Sequence, residues 1–279
     1  MFYILRRRGL GLGSTNSIKA LSKNNITIIR NDKLPTFTDN DTVLRWGCTT
    51  PIEDAKEVLN SSSDIGKVNN KKRFRFLLQQ EGFSYIIPET WFDVEDPRIT
   101  YPCILRPYMH AQGKHLKLCE NHSQLIQHIE NNPTYTHYYI SKYIPKTAEY
   151  RVCFIQGLVA WVAKKIPKNP QAVAWNVAQG GKFENVRWKD WPINVIETAY
   201  QASIVSGLYL CGVDVMVDED SKSYVLEVNS APSHTSPYRK QCTTKCIDYG
   251  ITNNNFSFID PNCNYKKYNK WIHPALKET

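Results

Sequence analysis

Apolar and polar positions alternate in short runs along most of the chain, and changes in their period divide it into elements. FYIL, the glycine-bearing GLGLGS, the helix-like STNSIKALSK and the strand ITIIR read as a strand, turn, helix, strand opening. The polar, turn-rich NSSSDIGKVNN at 60–70 predicts a boundary that closes a small α/β lobe over residues 1–66. KKRFRFLLQQEG (71–82) has helical spacing and ends at Gly82, and Pro88 excludes further helix. YPCILRP (101–107) and HLKLC (115–119) read as strands around YMHAQGK, a loop with a single glycine, and NHSQLIQHIENN (121–132) as a helix. YYISKYI, EYRVCFI and LVAWVAKKI predict three strands, the last two joined at Gln156 and Gly157. A helix over 194–210 and a hairpin through CGVDVMVDEDSKSYVLEVNS follow. Beyond about residue 241 the chain is polar and predicts no element. No internal repeat is present.

Composition narrows the classes. A formal net charge of +9 over 279 residues points to anionic partners: nucleotides, acidic substrates, or nucleic acid through a surface field. The basic residues form no long tract, so nucleic acid is not favoured. Eight cysteines are scattered, several in strand-like runs, and read as the buried free thiols of a reducing compartment. Cys242, Cys246 and Cys263, with His234 and His273, lack the paired spacing of a zinc site. The longest apolar runs fall far short of the ~20 residues that cross a bilayer. FYIL precedes Arg6, Arg7 and Arg8, the reverse of a secretory signal, so the expectation is a cytoplasmic protein. Gly9, Gly11 and Gly13 do not match the dinucleotide fingerprint; a tight turn is favoured over an anion seat on a helix capped by Ser14.

The final hairpin is the most telling segment. Alternate residues of a strand share a face, so Asp214 and Met216 point one way and Val213, Val215 and Val217 the other. A turn centred between Asp220 and Ser221 places Glu227 opposite Asp214, with Asn229 on the face of Glu227. Two facing carboxylates repel unless a cation lies between them, and such oxygen ligands suit Mg²⁺. The plainer reading is a solvent-facing strand whose acids meet water. The spacing of Glu227 and Asn229 beside an apolar strand, with the turn SAPS after them, favours the metal. The same logic with a turn at Gln156 and Gly157 sets Glu149 opposite Lys164: an ordinary ion pair, or a carboxylate for a ribose beside a lysine for a phosphate.

With these segments in view, residues 60–235 resemble the ATP-grasp superfamily, most closely its RimK-like branch of ribosomal-protein glutamate ligases. GVDVM followed by VLEVNSAPS is similar to that branch's metal-binding strands, which implies that Asp214, Glu227 and Asn229 hold Mg²⁺ bridging ATP. The resemblance implies an ATP-grasp fold, with two α+β subdomains (67–135 and 136–240) gripping ATP after the N-terminal α/β lobe and before a C-terminal extension (241–279). NKKRFRFLL resembles the helix start that carries a phosphate-binding lysine, selecting Lys71 with Lys72 as its rival. CILRP supplies Arg106 where the family has lysine, and arginine still holds phosphates through its planar fork. HAQGKHL resembles the glycine loop that closes over the phosphates, matching at Gln112 and Gly113. ISKYI resembles the adenine-reading hinge, with Ser141 and Lys142 where an acid is usual and backbone contacts from Tyr143 and Ile144. Glu149 matches the ribose-binding carboxylate, Lys164 and Lys165 a basic pair, and Arg151 joins them as a catalytic candidate. WNVAQGG resembles the acceptor segment at Asn176, Gly180 and Gly181, and departs from it at Ala174 and Trp175. RWG at 45–47 is a further short likeness.

The resemblance implies a ligase: a carboxylate attacks the γ-phosphate of ATP, and an amine then displaces phosphate from the acylphosphate to leave an amide. Lys164 or Lys165 would stabilise the oxyanion. A kinase on the same scaffold, stopping at the phosphorylated product, is the nearest alternative. A non-catalytic nucleotide- or nucleic-acid-binding module is the alternative of another class, and a homodimer is compatible with either.

Overall fold

The computed structural model describes residues 1–7, 13–108, 116–132, 137–175, 180–263 and 269–276. FYIL forms β1 (Phe2–Arg6), with α1 (Gly13–Leu21) leading to β2 (Ile26–Arg30) and then β3 (Thr42–Trp46) and β4 (Glu57–Leu59). These strands make one parallel sheet in the order β2-β1-β3-β4. Both faces are apolar, with Ile4 and Leu44 buried on one side and Leu5 and Val43 on the other. α1 starts at Gly13, and Gly9 and Gly11 lie outside the described residues. The segment expected as a turn-rich boundary is helical: α2 (Ser62–Asn69) buries Ile65 and Val68, and the Ser61 hydroxyl accepts from the Asp64 N–H. An N-cap and two apolar residues one turn apart suffice there because the core supplies the rest. α3 (Lys71–Gln80) follows at once, capped by Asn70.

The second sheet contains β5 (Thr90–Trp91), β6 (Cys103–Pro107), β7 (Lys117–Cys119) and β8 (Tyr138–Lys142) in the antiparallel order β5-β8-β6-β7, with α4 (His122–Glu130) against it. Because β8 pairs with β5 and β6, the boundary expected at 136 falls one strand early. The third sheet contains β9 (Ala148–Ile155), β10 (Leu158–Ile166), β11 (Lys182–Val186), β12 (Leu210–Val217) and β13 (Ser223–Asn229), in the antiparallel order β11-β10-β9-β12-β13. α5 (Ile193–Ser206) packs on one face, where Val152, Val213 and Val215 meet Val195, Ile196 and Ala199. On the other face, Cys153, Ile155 and Trp161 join the first lobe's Phe2, Ile4 and Trp46 in a common core.

After 236 a helix forms where no element was expected. α6 (Pro237–Thr252) is capped by Ser236, and its start at 237 overrides a boundary at 241. Its buried positions include Arg239, Cys242, Thr243, Thr244, Cys246 and Gly250, so no apolar stripe announced it. Among the described residues no helix is long and apolar enough to cross a membrane.

The last segment straps the β9–β10 turn. The Val159 N–H donates to the Trp271 carbonyl (2.8 Å), and the His273 N–H donates to the Val159 carbonyl (3.1 Å). Gln156, 1% exposed, donates through its amide to the carbonyls of Asn255 (2.9 Å) and Ser257 (3.1 Å), and its amide oxygen lies 3.2 Å from Nε2 of His273. Gly157 adopts a φ of +77°, and a β-carbon there would fall 2.2 Å from the Phe258 ring. Gln156→Ala removes these bonds together from a buried position and costs about 3 kcal/mol, measured by urea unfolding. A loss below about 1 kcal/mol would mean the strap is held elsewhere.

Candidate active site

One face of the third sheet is the floor of a cavity of about 1200 Å³. Asp214 on β12 lies opposite Glu227 on β13 and, on its other side, opposite Arg151 on β9, so the three side chains share this face. The pairing expected for Asp214 and Glu227 is observed, by a different route. The turn pairs Val217 with Ser223, one residue short of the expected partner Tyr224, and a β-bulge at Leu226 restores the register before Glu227.

A second bulge corrects the other expected pair. β10 pairs with β9 in simple hairpin register at Leu158 and Val159, but Ala160 is extra, and Trp161 then faces Cys153. Lys164 therefore faces Tyr150, not Glu149, and on its other side faces Glu184. The next residue, Lys165, turns to the floor: its ammonium contacts Glu149 Oε1 and lies 3.6 Å from Asp214 Oδ2. Lys164 is not among the residues lining the cavity.

The floor's charges are locked together. Arg151 grips Asp214 with two bonds, Nε to Oδ1 (2.5 Å) and Nη2 to Oδ2 (2.7 Å). Lys71, at the start of α3, contacts Glu227 Oε2, while the Asn229 amide donates to Glu227 Oε1 (3.2 Å). Lys72 turns away, its ammonium 5.8 Å from the Phe92 ring. Burial works to raise the pKa of Glu227, but Lys71 and then Arg151 hold it down, to about 2. Burial likewise works to lower Lys165, and Asp214 with Glu149 raise it instead. Glu227 thus stays ionised, the state that oxygen ligation of Mg²⁺ requires, Asp214 is paired with Arg151 and Lys165, and Asn229 adds a neutral oxygen. The donor set fits that ion.

The opposite wall comes from the second sheet. Arg106 on β6 is buried, and its Nε donates to the Ser141 hydroxyl (2.9 Å), so the serine in the place of the usual acid takes up this arginine. Lys142 lines the cavity and reaches toward Glu89 (3.8 Å) where both side chains are exposed. The Tyr143 N–H is committed to the Pro102 carbonyl (3.1 Å), and Tyr143 and Ile144 both line the cavity. Gln112, Gly113 and Asn176 lie outside the described residues. Gly180 and Gly181 are not among the lining residues; Gly180 lies against Lys168, where a β-carbon would come within 2.9 Å.

Two lining residues, Lys146 and Phe183, gave no signal in the sequence. Lys146, in the irregular segment after the hinge, binds Glu149 (2.5 Å) and lies 4.7 Å from the Trp175 ring. Phe183 on β11 meets Arg151, Lys165 and Arg239, with centroid distances of 5.1, 5.5 and 5.4 Å. Arg7 and Gly47 enter from the first lobe at the ends of β1 and β3, where strand order reverses and open parallel sheets take ligands. Among the described lining residues seven are basic and three acidic, a balance suited to a polyanion.

A family model for the RimK-like ATP-grasp domain matches residues 83–248. No curated protein matches the sequence. Among solved structures, the ATP-grasp ligase PsnB complexed with a minimal precursor is similar at a TM-score of 0.62 and 12% identity, covering 88% of this chain and 99% of that one. The macrocyclase MdnC from Microcystis aeruginosa MRC, bound with precursor peptide MdnA, gives 0.60 and 12%, covering 91% and 100%. D-alanine–D-alanine ligase from Bacillus anthracis gives 0.56 and 16%, covering 84% and 88%. At these identities the likeness is one of fold.

Beside the floor, the buried His234 lies between Trp46 and Trp161, tilted to one ring and edge-on to the other, with centroids 5.4 and 5.3 Å away, and its Nδ1 donates to the Pro232 carbonyl (2.8 Å). Burial, reinforced by Arg239 and Arg151, pushes its pKa down to about 3. The unfolded chain protonates this histidine near its ordinary value of 6.5, so between there and about 3 the unfolded state holds more protons. Stability therefore falls as pH drops through that window, by about 3 kcal/mol on reaching pH 4. Unfolding curves across this range should show the slope in the native chain and its flattening in His234→Asn. An unchanged slope in the variant would assign the effect to other groups.

Proposed function

The chain belongs to the RimK-like ATP-grasp family, and from that premise we propose that it is an ATP-dependent carboxylate–amine ligase forming an amide or peptide bond through an acylphosphate. The observation that carries this reading is the facing pair Asp214 and Glu227, with Asn229, set among Arg151, Lys165 and Lys71 on the floor of one cavity. Asp214, Glu227 and Asn229 would hold Mg²⁺, whose part when bound is to neutralise charge on the phosphate oxygens.

Lys71 and Arg106 face the triphosphate from opposite walls. Glu149 accepts hydrogen bonds from the ribose, and Lys142, the Tyr143 carbonyl and the Ile144 backbone frame adenine. Gln112 and Gly113 are assigned to the phosphates, where exclusion of water would protect the acylphosphate. A substrate carboxylate oxygen attacks the γ-phosphorus, the bond to the departing ADP oxygen breaks, and an acylphosphate forms. The amine then adds to the carbonyl carbon, the C–O bond to phosphate breaks, and the nitrogen's protons pass to phosphate and solvent. Arg151 and Lys165 stabilise the oxyanion of that addition; Lys164, on the other face, does not reach it. The amine, from an amino acid, a peptide or a protein terminus, meets the segment leading to Asn176, Gly180 and Gly181.

ADP and phosphate should form only when acid and amine are both supplied. Asp214→Asn and Glu227→Gln should lower kcat/KM at least about a hundredfold, and Lys165→Met about 10²–10³-fold. Lys164→Met should remain within about threefold of the native chain. Equal losses in the two lysine variants would overturn the assignment of Lys165. Hydroxylamine should trap a hydroxamate when ATP and acid are present without amine. A stable phosphorylated product and no hydroxamate would identify a kinase instead.

A further inference from the structure

The position of Glu227 depends on one extra residue. Val215 faces Val225 and Asp214 faces Glu227, so Leu226 has no partner on β12. Without that bulge the register of the turn would continue, Asp214 would face Leu226, and Glu227 would pass to the face of Val213, against α5. A bulge that decides the site needs something to hold it.

α3 supplies the contact. Arg75, 3% exposed, donates from Nη2 to the Leu226 carbonyl (3.2 Å) and from Nη1 to the Thr90 hydroxyl oxygen (3.4 Å). Thr90 gives its own proton to the Pro88 carbonyl (2.7 Å), so its oxygen is free to accept. The guanidinium carbon lies 5.4 Å from the centroid of the Tyr139 ring. Lys71, one helical turn earlier, reaches the Glu227 carboxylate. One face of α3 thus holds two consecutive residues of β13, one by its carbonyl and the next by its side chain. Among the described residues Arg75 pairs with no carboxylate. A buried cation without an anion is poor for stability, and an apolar side chain of similar length would serve the core better.

We propose that Arg75 is a positioning residue that clamps the Leu226 bulge and so sets Glu227 and Asn229 toward Asp214. The proposal rests on the reading of Asp214, Glu227 and Asn229 as the ligands of a divalent ion. Arg75 touches no substrate; it acts through the backbone of β13.

The test is the affinity for Mn²⁺, titrated by electron paramagnetic resonance with a non-hydrolysable ATP analogue present, in the full chain and its variants. Arg75→Met keeps the length and removes both donors; it should weaken Mn²⁺ binding about tenfold, as loss of an outer partner of a metal site typically does. The nucleotide's own affinity without the metal should stay within about twofold. Arg75→Lys, which retains the charge and one donor, should lie between, and it decides the matter alone if Arg75→Met does not fold. Native Mn²⁺ affinity in a folded Arg75 variant, with affinity lost in Asp214→Asn and Glu227→Gln, would overturn the clamp and leave the metal reading intact. Unchanged affinity in those two variants as well would overturn both.

Discussion

The site depends on the repulsion between two carboxylates, Asp214 and Glu227, that the β12–β13 ladder sets opposite each other. At an effective dielectric near 20, like charges about 5 Å apart repel by about 3 kcal/mol, enough to protonate one of them or part the strands if nothing opposes it. Arg151 and Lys165 oppose it at Asp214, and Lys71 at Glu227. These cations come from β9, β10 and α3, so compensation exists only once those elements have met. Lys146 and Lys165 do the same for Glu149. The floor is therefore a network in which each acid has a basic partner, with Arg7 and Arg106 left over to face a polyanion and Lys142 within reach of the exposed Glu89.

Register turns that network from a list of residues into a site. A slip of one residue moves every side chain of a strand to the other face, so each bulge selects which residues the cavity receives. Leu226 brings Glu227 and Asn229 to the floor. Ala160 brings Lys165 there and sends Lys164 away. Both bulges lie in strands that contribute charge, and the β9–β12 ladder between them runs without irregularity. β9 and β12 thus act as the straight reference against which the outer strands are adjusted.

How much of this could be read from the sequence follows from what each feature depends on. Period-two alternation is local, so the strands around Asp214, Glu227, Glu149 and Lys165 were legible, and the RimK-like motifs located the family. Asp214 was matched to Glu227 although two errors entered, because a turn pairing shifted by one residue and an unseen bulge cancel. At Lys164 nothing cancelled the bulge, and the expected partner was wrong by one. α6 was invisible because its buried face is threonine, cysteine, glycine and arginine with a single isoleucine, held by tertiary contacts and not by an apolar stripe. β8 read as a strand, yet its sheet depends on partners at β5 and β6 that no local pattern names. Lys146 and Phe183 gave no signal because their importance lies in neighbours distant in sequence.

The C-terminal strap, the least informative stretch of the sequence, bears on the choice of lysine. Along its outer edge β10 has two partners in succession: the strap at Val159, through Trp271 and His273, and β11 from Val162 onward. Ala160 lies where one partner ends and the other has not begun, the part of the strand with least to hold it in regular pairing. A bulge is cheapest there, since an extra residue disturbs the inner ladder alone. The strap keeps Leu158 and Val159 in hairpin register with β9, and β11 keeps Val162 to Ile166 in the shifted one. The offset between them is what turns Lys165 toward Glu149 and Asp214. Residues 271–273, far from the cavity in sequence, thus belong to the same register system that assembles its floor.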